Sequence, residues 1–200
     1  MNTMETIYAR RSVKQFDPEH TMTKEEINTL FEATIQSPTS FNIQNWRFVI
    51  ITDPELRLKV QEAAMGQTQV SEASLAVLIT ADIKAWEKSP ERYWKETPEA
   101  ARGRILGLID SFYRPHEQLQ RDEAIRSVGL AAQTLMLAAK AMDYDSCPMI
   151  GFDAEKVAEL IQLPEDHLIG MMVVIGKRAK DPWPKPGQLP LSELLIENQF

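Results

Sequence analysis

A layered fold of strands interleaved with helices, α+β or α/β in class, is predicted by three features of this chain. Arg47–Thr52 (RFVIIT), Leu75–Ala81 (LAVLITA) and His167–Gly176 (HLIGMMVVIG) are apolar runs of strand length. The segments between them carry helical spacing and explicit capping residues. No internal repeat or low-complexity stretch breaks the pattern, so strands and helices have to share a core.

Taken in order, Thr23-Lys24-Glu25-Glu26 is a capping box, in which a hydroxyl and a carboxylate satisfy each other's backbone donors. Ile27, Leu30, Phe31 and Thr34/Ile35 follow at helical spacing until Ser37-Pro38 stops the helix. Strand 47–52 comes next. Asp53-Pro54 then opens a second helix, with a capping side chain followed by proline at the first helical position. After strand 75–81, the segment Lys84–Gln120 is polar and aromatic, with Trp86, Tyr93, Trp94, Phe112 and Tyr113, and reads as helices with mobile joins. Arg121–Met142 reads as a long helix whose middle, Val128–Ala132 and Leu135–Ala139, is apolar nearly all round. In so short a chain, such a helix is often buried against a partner subunit. Asp153–Leu163 reads as a helix ended by Pro164, ahead of strand 167–176. Asp181–Phe200 holds four prolines in its first half, cannot be regular there, and resembles an arm laid over another surface.

The 200 residues suit one domain, 1–200, with a sizeable core. At 44% hydrophobic and 26% charged, the composition is that of an ordinary globular protein. A net charge of −7 argues against a nucleic-acid partner, since duplex binders present a basic surface. No apolar run approaches the roughly 20 residues that cross a bilayer, and Met1–Arg10 has no signal-like apolar stretch; no membrane partner is expected. Cys147 is the single cysteine, which excludes an intrachain disulfide and suits a reducing compartment. Together these features predict a cytoplasmic protein.

Against that acidic background, Arg10, Arg11, Ser12, Val13 and Lys14 put three cations and a hydroxyl within five residues. Arginine offers parallel donors to phosphate oxygens and serine adds another. The alternative is a solvated basic patch at a helix end, where cations suit the dipole. Ser37–Trp46 is a loop dense in small donors and acceptors that opens onto a strand, as ligand loops do; it also fits an ordinary turn. In Ser146–Phe152, proline and glycine bracket a turn able to approach a flat ligand closely, or simply to connect a strand to a helix. Cys147 has no base or cation in its sequence neighbourhood and reads as an inert buried thiol. His20, His116 and His167 show no metal spacing, and no zinc, phosphate-loop, dinucleotide or nucleophile-elbow motif occurs. A chain without its own acid–base or nucleophilic machinery suits an enzyme whose cofactor carries the chemistry.

In this order, the pieces resemble the FMN-dependent nitroreductase family. Arg10–Phe16 (ArgArgSer-x-Lys-x-Phe) looks like that family's phosphate-binding start. Pro38–Phe48 resembles its Pro-Ser-Ser-x-Asn-x-Gln-Pro-Trp-x-Phe segment, and Asp145–Asp153 (DSCPMIGFD) its late flavin-facing turn. The resemblance implies an α+β fold, a central mixed or antiparallel sheet flanked by helices, in an intertwined homodimer with FMN at the interface. Arg10, Arg11 and Ser12 would hold the phosphate. Lys14 would sit near the N1/O2 edge, where a fixed cation stabilises the reduced flavin. Pro38, Thr39, Ser40 and Asn42 would reach the FMN bound mainly by the other subunit. Pro148, Met149, Ile150 and Gly151 would cover the ring, Gln67 and Gln69 would serve its pyrimidine edge, and Phe112 and Tyr113 would line the substrate face. The arm 181–200 would pack on the partner.

Three positions depart from the family pattern. Asn45 stands where proline is usual, Ile150 where some members have glutamate, and Gln188 where many have an arginine, leaving Lys185 or Arg178 as substitutes. The activity implied is ping-pong transfer of hydride from NAD(P)H, through flavin N5, to a small acceptor such as a nitroaromatic or quinone, with no catalytic side chain required. An enone, aldehyde or halogenated aromatic as acceptor, or flavin binding with little turnover, are the alternatives.

Overall fold

The computed structural model describes residues 1–200. Four strands form an antiparallel sheet: β1 (Trp46–Ile50), β2 (Leu75–Asp82), β3 (Asp145–Met149) and β4 (His167–Gly176), in spatial order β1-β2-β4-β3. Eight helices accompany it: α1 (Thr3–Ala9), α2 (Lys24–Thr34), α3 (Pro54–Ala63), α4 (Gln69–Glu72), α5 (Glu99–Tyr113), α6 (Glu117–Ala141), α7 (Ala154–Leu160) and α8 (Leu191–Leu194).

Both faces of the sheet are covered. On one face Val77, Ile79, Val173 and Ile175 pack against Leu30 of α2 and Ala131, Leu135 and Ala139 of α6. On the other, Ala76, Leu78, Met172 and Val174 pack against α3, α4 and α7 through Val60, Val70 and Val157. The central strand β2 is therefore buried along its whole length, which is why it is predominantly apolar, Leu75–Ile79 without a break, rather than alternating. Helix α6 crosses β4 at Gly170, where a Cβ would stand 2.3 Å from Val128 Cγ1; only glycine admits that approach.

The capping box of α2 forms in full: Thr23 N–H donates to Glu26 Oε2 (2.8 Å) and Glu26 N–H to Thr23 Oγ1 (3.2 Å). Asp53 caps α3, accepting from Glu55 N–H at 3.0 Å. Several expectations need correction. Asp145–Met149 is a fourth strand, not part of a turn; it lies at the sheet edge, where Pro148 is tolerated. Helix α1 lacks a long apolar stripe and is set by a capping box of Asn2 and Glu5. Helix α6 starts at Glu117 rather than Arg121. Helix α7 ends at Leu160 because Gln162 is left-handed (φ 52°), before Pro164 is reached. Within the chain α6 is buried at Val128, Ala131, Ala132 and Leu135, while Ile125 and Leu130 remain exposed.

Candidate functional site

Beyond α1, the chain runs alongside the edge strand β3. Val13 N–H donates to Ser146 C=O (3.0 Å), and Ser12 forms a parallel bridge with Ser146. Val13 and Phe16 are anchors, wholly inside the core. The burial of Val13 turns its strand neighbours Ser12 and Lys14 outward, and both are exposed. Arg10 Nη1 and Ser146 Oγ are both buried with no hydrogen-bond partner. Burial pushes the Cys147 thiol pKa up, while the nearby charges of Lys14 and Arg10 pull it back. The thiol itself is buried.

Over these cations lies part of the C-terminal arm. Arg11 donates to the Trp183 carbonyl. A cleft of about 610 Å³ lies between Ser12, Lys14 and Gln15 on one side and Lys180–Pro184 and Pro186 on the other. The turn after β3 joins the same edge: Gln67 Nε2 donates to Gly151 C=O (2.9 Å), and Gln69 Nε2 donates to Gln67 Oε1 (2.9 Å). Met149 is buried, whereas Ile150 is 78% exposed and projects from the turn. Arg10, Arg11, Ser12, Lys14, Gln67, Gln69 and Pro148–Gly151 thus share one edge of the sheet. A surface of this kind can hold an anion beside a flat group.

The remaining residues lie elsewhere. The loop Pro38–Asn45 leads directly into β1, at the opposite edge. Phe41, Asn42 and Gln44 all have left-handed backbone, with φ of 50°, 55° and 50°. For non-glycine residues this costs about 1–3 kcal/mol each and persists only where neighbours enforce it. Several bonds do so: Gln44 N–H donates to Thr39 Oγ1 (2.9 Å), Arg47 Nη1 to Gln44 C=O (2.9 Å), Trp94 Nε1 to Phe41 C=O (3.0 Å) and Asn42 Nδ2 to Tyr93 C=O (3.1 Å). Phe41 packs on Phe112 (centroids 5.5 Å apart) and Tyr113 (6.2 Å). Tyr113 is buried and stacks on Trp86 at 6.0 Å. Burial raises the pKa of its hydroxyl, partly offset by a hydrogen bond with Ser40. Phe112 is 42% exposed, leaving an aromatic shelf open to solvent.

Lys185 and Gln188 are exposed and make no hydrogen bond or ion pair. Arg178 is engaged with Asp145 (3.7 Å) and Asp181 (3.3 Å). The sequence alone gives Ser146, Tyr93 and Trp94 no individual role at the site. Ser146 sits in a polar stretch without the pattern of a buried strand, and the last two act across 51 and 53 residues of chain, a separation no local spacing reveals. Near the shelf, Asp82, Asp166 and His167 converge. The cluster is occupied by a cation of the chain itself: Lys88 Nζ donates to Asp82 (2.9 Å) and to Asp166, and His167 Nδ1 lies 2.7 Å from Asp166 Oδ1.

A polar, cation-lined edge and an aromatic shelf on an antiparallel sheet define a binding platform for a charged, planar cofactor. The sequence profile of the nitroreductase family matches residues 7–177. Protein DrgA of Synechocystis is 56% identical over 200 residues, covering 98% of this chain and 95% of its own. The provisionally named NAD(P)H nitroreductase MhqN of Bacillus subtilis is 34% identical, covering 93% and 94%. A provisionally assigned nitroreductase from Exiguobacterium sibiricum, solved in complex with FMN, superposes with a TM-score of 0.91 at 27% identity, covering 98% of this chain and 97% of that one. The chain belongs to the nitroreductase family, and it is an NAD(P)H-dependent flavin oxidoreductase.

Proposed function

We propose that the chain binds FMN at the β3 edge and passes hydride from NAD(P)H to a small acceptor, a nitroaromatic or quinone. The observation that carries this reading is the pair of buried, unpartnered groups, Arg10 Nη1 and Ser146 Oγ, beside Ser12 and Lys14. Buried donors without partners are rare in folded proteins, and a phosphate oxygen is the partner their charge and chemistry suit. Arg10, Arg11 and Ser12 hold the phosphate, and the Trp183 carbonyl gives up Arg11 when they do. Lys14 presents a fixed positive charge beside the ring. Gln67, oriented by Gly151 and Gln69, fixes the turn Pro148–Gly151 against it. FMN when bound supplies the two-electron carrier between NAD(P)H and the acceptor; the two substrates use one cleft in turn, which makes the kinetics ping-pong.

Within one chain the β3 edge and the Pro38–Asn42 loop stand at opposite edges of the sheet. A complete site therefore takes the loop and shelf from a second copy, and the working unit is a homodimer. Exposed Leu189, Leu191, Leu194, Leu195 and Ile196 make the arm 181–200 apolar enough to pack on that copy, as an extension of the single domain 1–200. A protein with one buried cysteine and no helix long and apolar enough to cross a membrane suits the cytoplasm. The exposed Phe112 ring favours planar acceptors. The visible absorbance spectrum of the purified protein, together with its mass in solution, tests the reading. A yellow dimer bleached by NADH or NADPH is expected; a colourless monomer that stays colourless after soaking with FMN overturns it.

A further inference from the structure

We infer that Trp94 is a positioning residue for the cofactor loop, and that the turn Pro90–Trp94 and the loop Pro38–Gln44 move as one unit. The inference rests on the FMN reading above and assigns a role to a residue outside all the flavin-binding segments. The loop holds three left-handed, non-glycine residues in four positions, Phe41, Asn42 and Gln44. Such a backbone relaxes unless its surroundings over-determine it.

Most of its bonds are local and move with it: Asn42 N–H to Thr39 C=O, Ile43 N–H to Ser40 C=O, Gln44 N–H to Thr39 Oγ1. Only two tie the strained residues to a distant part of the chain, and both come from one turn. Trp94 Nε1 donates to Phe41 C=O at 3.0 Å, and Tyr93 C=O accepts from Asn42 Nδ2 at 3.1 Å. Trp94 also packs in the same apolar cluster as Phe41, around Ile43, Trp86 and Tyr113. The indole N–H therefore fixes the orientation in which Thr39, Ser40 and Asn42 are offered to a cofactor.

Trp94→Phe removes the donor and keeps an aromatic ring. It is expected to speed hydrogen exchange of the amides of Asn42, Ile43 and Gln44 about fivefold, and to raise the FMN dissociation constant by a similar factor, the scale of one neutral hydrogen bond. The visible circular dichroism of bound flavin should change with it. Lys95→Ala, an exposed neighbour on the same turn, should leave all three unaltered. A merely structural role for Trp94 would lower the melting temperature without moving flavin affinity or its dichroism, and that result overturns the inference. Trp94→Tyr is the second variant if the first does not fold. In the unmutated chain, Gln44 and the bonded amides Arg92 and Thr97 should exchange with common protection; independent exchange also overturns it. Wild-type protein that takes up no FMN at all defeats the earlier reading and this one together. Wild type that binds FMN, with Trp94→Phe binding it equally well, defeats this one alone.

Discussion

At the β3 edge, Arg10 Nη1 and Ser146 Oγ are buried without partners, and Lys14 forms no ion pair. At the β1 edge the arginines around the loop are engaged: Arg47 with the carbonyls of Gln44 and Trp46, Arg92 with the Tyr93 hydroxyl, Arg114 with Asp110. What remains unpartnered there is neutral: Asn45 Oδ1, Trp46 Nε1 and Trp86 Nε1. One edge thus offers charge and the other offers shape. Hydrogen bonds to a charged group are worth about 1.5–3 kcal/mol, and an aromatic pair about 0.5–1.5 kcal/mol beyond the area it buries. Under the function proposed above, the first edge contributes most to retaining a phosphate-bearing cofactor, and the second contributes most to selecting planar partners.

The sharpest way to break that division is Arg10→Ala. Losing a charged hydrogen bond of about 1.5–3 kcal/mol corresponds to a ten- to hundredfold weaker FMN affinity. Quenching of flavin fluorescence on titration measures it. The Arg10 N–H, which bonds Thr6 C=O at 3.0 Å and ends α1, is a backbone group and survives the substitution, so the fold is expected to persist. Affinity equal to wild type would reduce Arg10 to a surface cation at a helix end and remove the charge from the comparison.

The two edges also differ in how far the sequence disclosed them. The cations Arg10, Arg11 and Lys14 fall within five residues, so their shared neighbourhood is a local property of the chain. The strands β2 and β4 were legible for the same reason: the sheet is covered on both faces, so their runs are predominantly apolar. Strand β3 was not legible. Its five residues include Asp145, Ser146 and Pro148, which lack the apolar character of a central strand and are accommodated at an edge. Helix α6 could be read as buried on most sides, but not that Gly170 lets it approach β4. Nor could the shelf be read, since Phe41, Phe112, Tyr113 and Trp86 meet only after α5 and α6 fold back on the loop. Contacts spanning many tens of residues depend on the tertiary path, and no spacing rule reports them.

Phe112→Ala sharpens the comparison from the other edge. Phe112 meets Tyr113 edge-on at 5.2 Å and Phe41 at 5.5 Å, with its outer face in solvent. Removing the ring takes away one wall of the shelf and none of the phosphate donors. The KM of a quinone or nitroaromatic is expected to rise about two- to tenfold, matching 0.5–1.5 kcal/mol, while FMN affinity stays at the wild-type value. Steady-state kinetics at saturating NADH or NADPH give the first quantity and flavin titration the second. If FMN affinity fell as far as in Arg10→Ala, charge and shape would not be separable between the two edges.

The smallest effect concerns what suspends the shelf. Beyond β2, the chain leaves the sheet toward Tyr93 and Trp94, and Lys88 ties this excursion back to Asp82 at the end of β2 and to Asp166 just before β4. A hydrogen bond from Lys88, then one from His167, holds the Asp166 carboxyl below its ordinary pKa. A carboxylate whose folded pKa is depressed contributes stability above its unfolded value, and that contribution is lost as pH falls through the folded one. Asp166 is about a third exposed, so the tie is worth no more than about 1 kcal/mol, or about 2–4 °C in melting temperature for a chain of this size. Asp166→Asn should therefore melt slightly below wild type at pH 7, with the gap narrowing as pH falls below the ordinary carboxylate value of 3.8, while Asp82, buried and still paired with Lys88, remains in place. A gap that stays constant as pH falls through the carboxylate range would mean that the excursion is held by packing around Trp86 and Tyr113 alone, and that charge plays no part in supporting the aromatic edge.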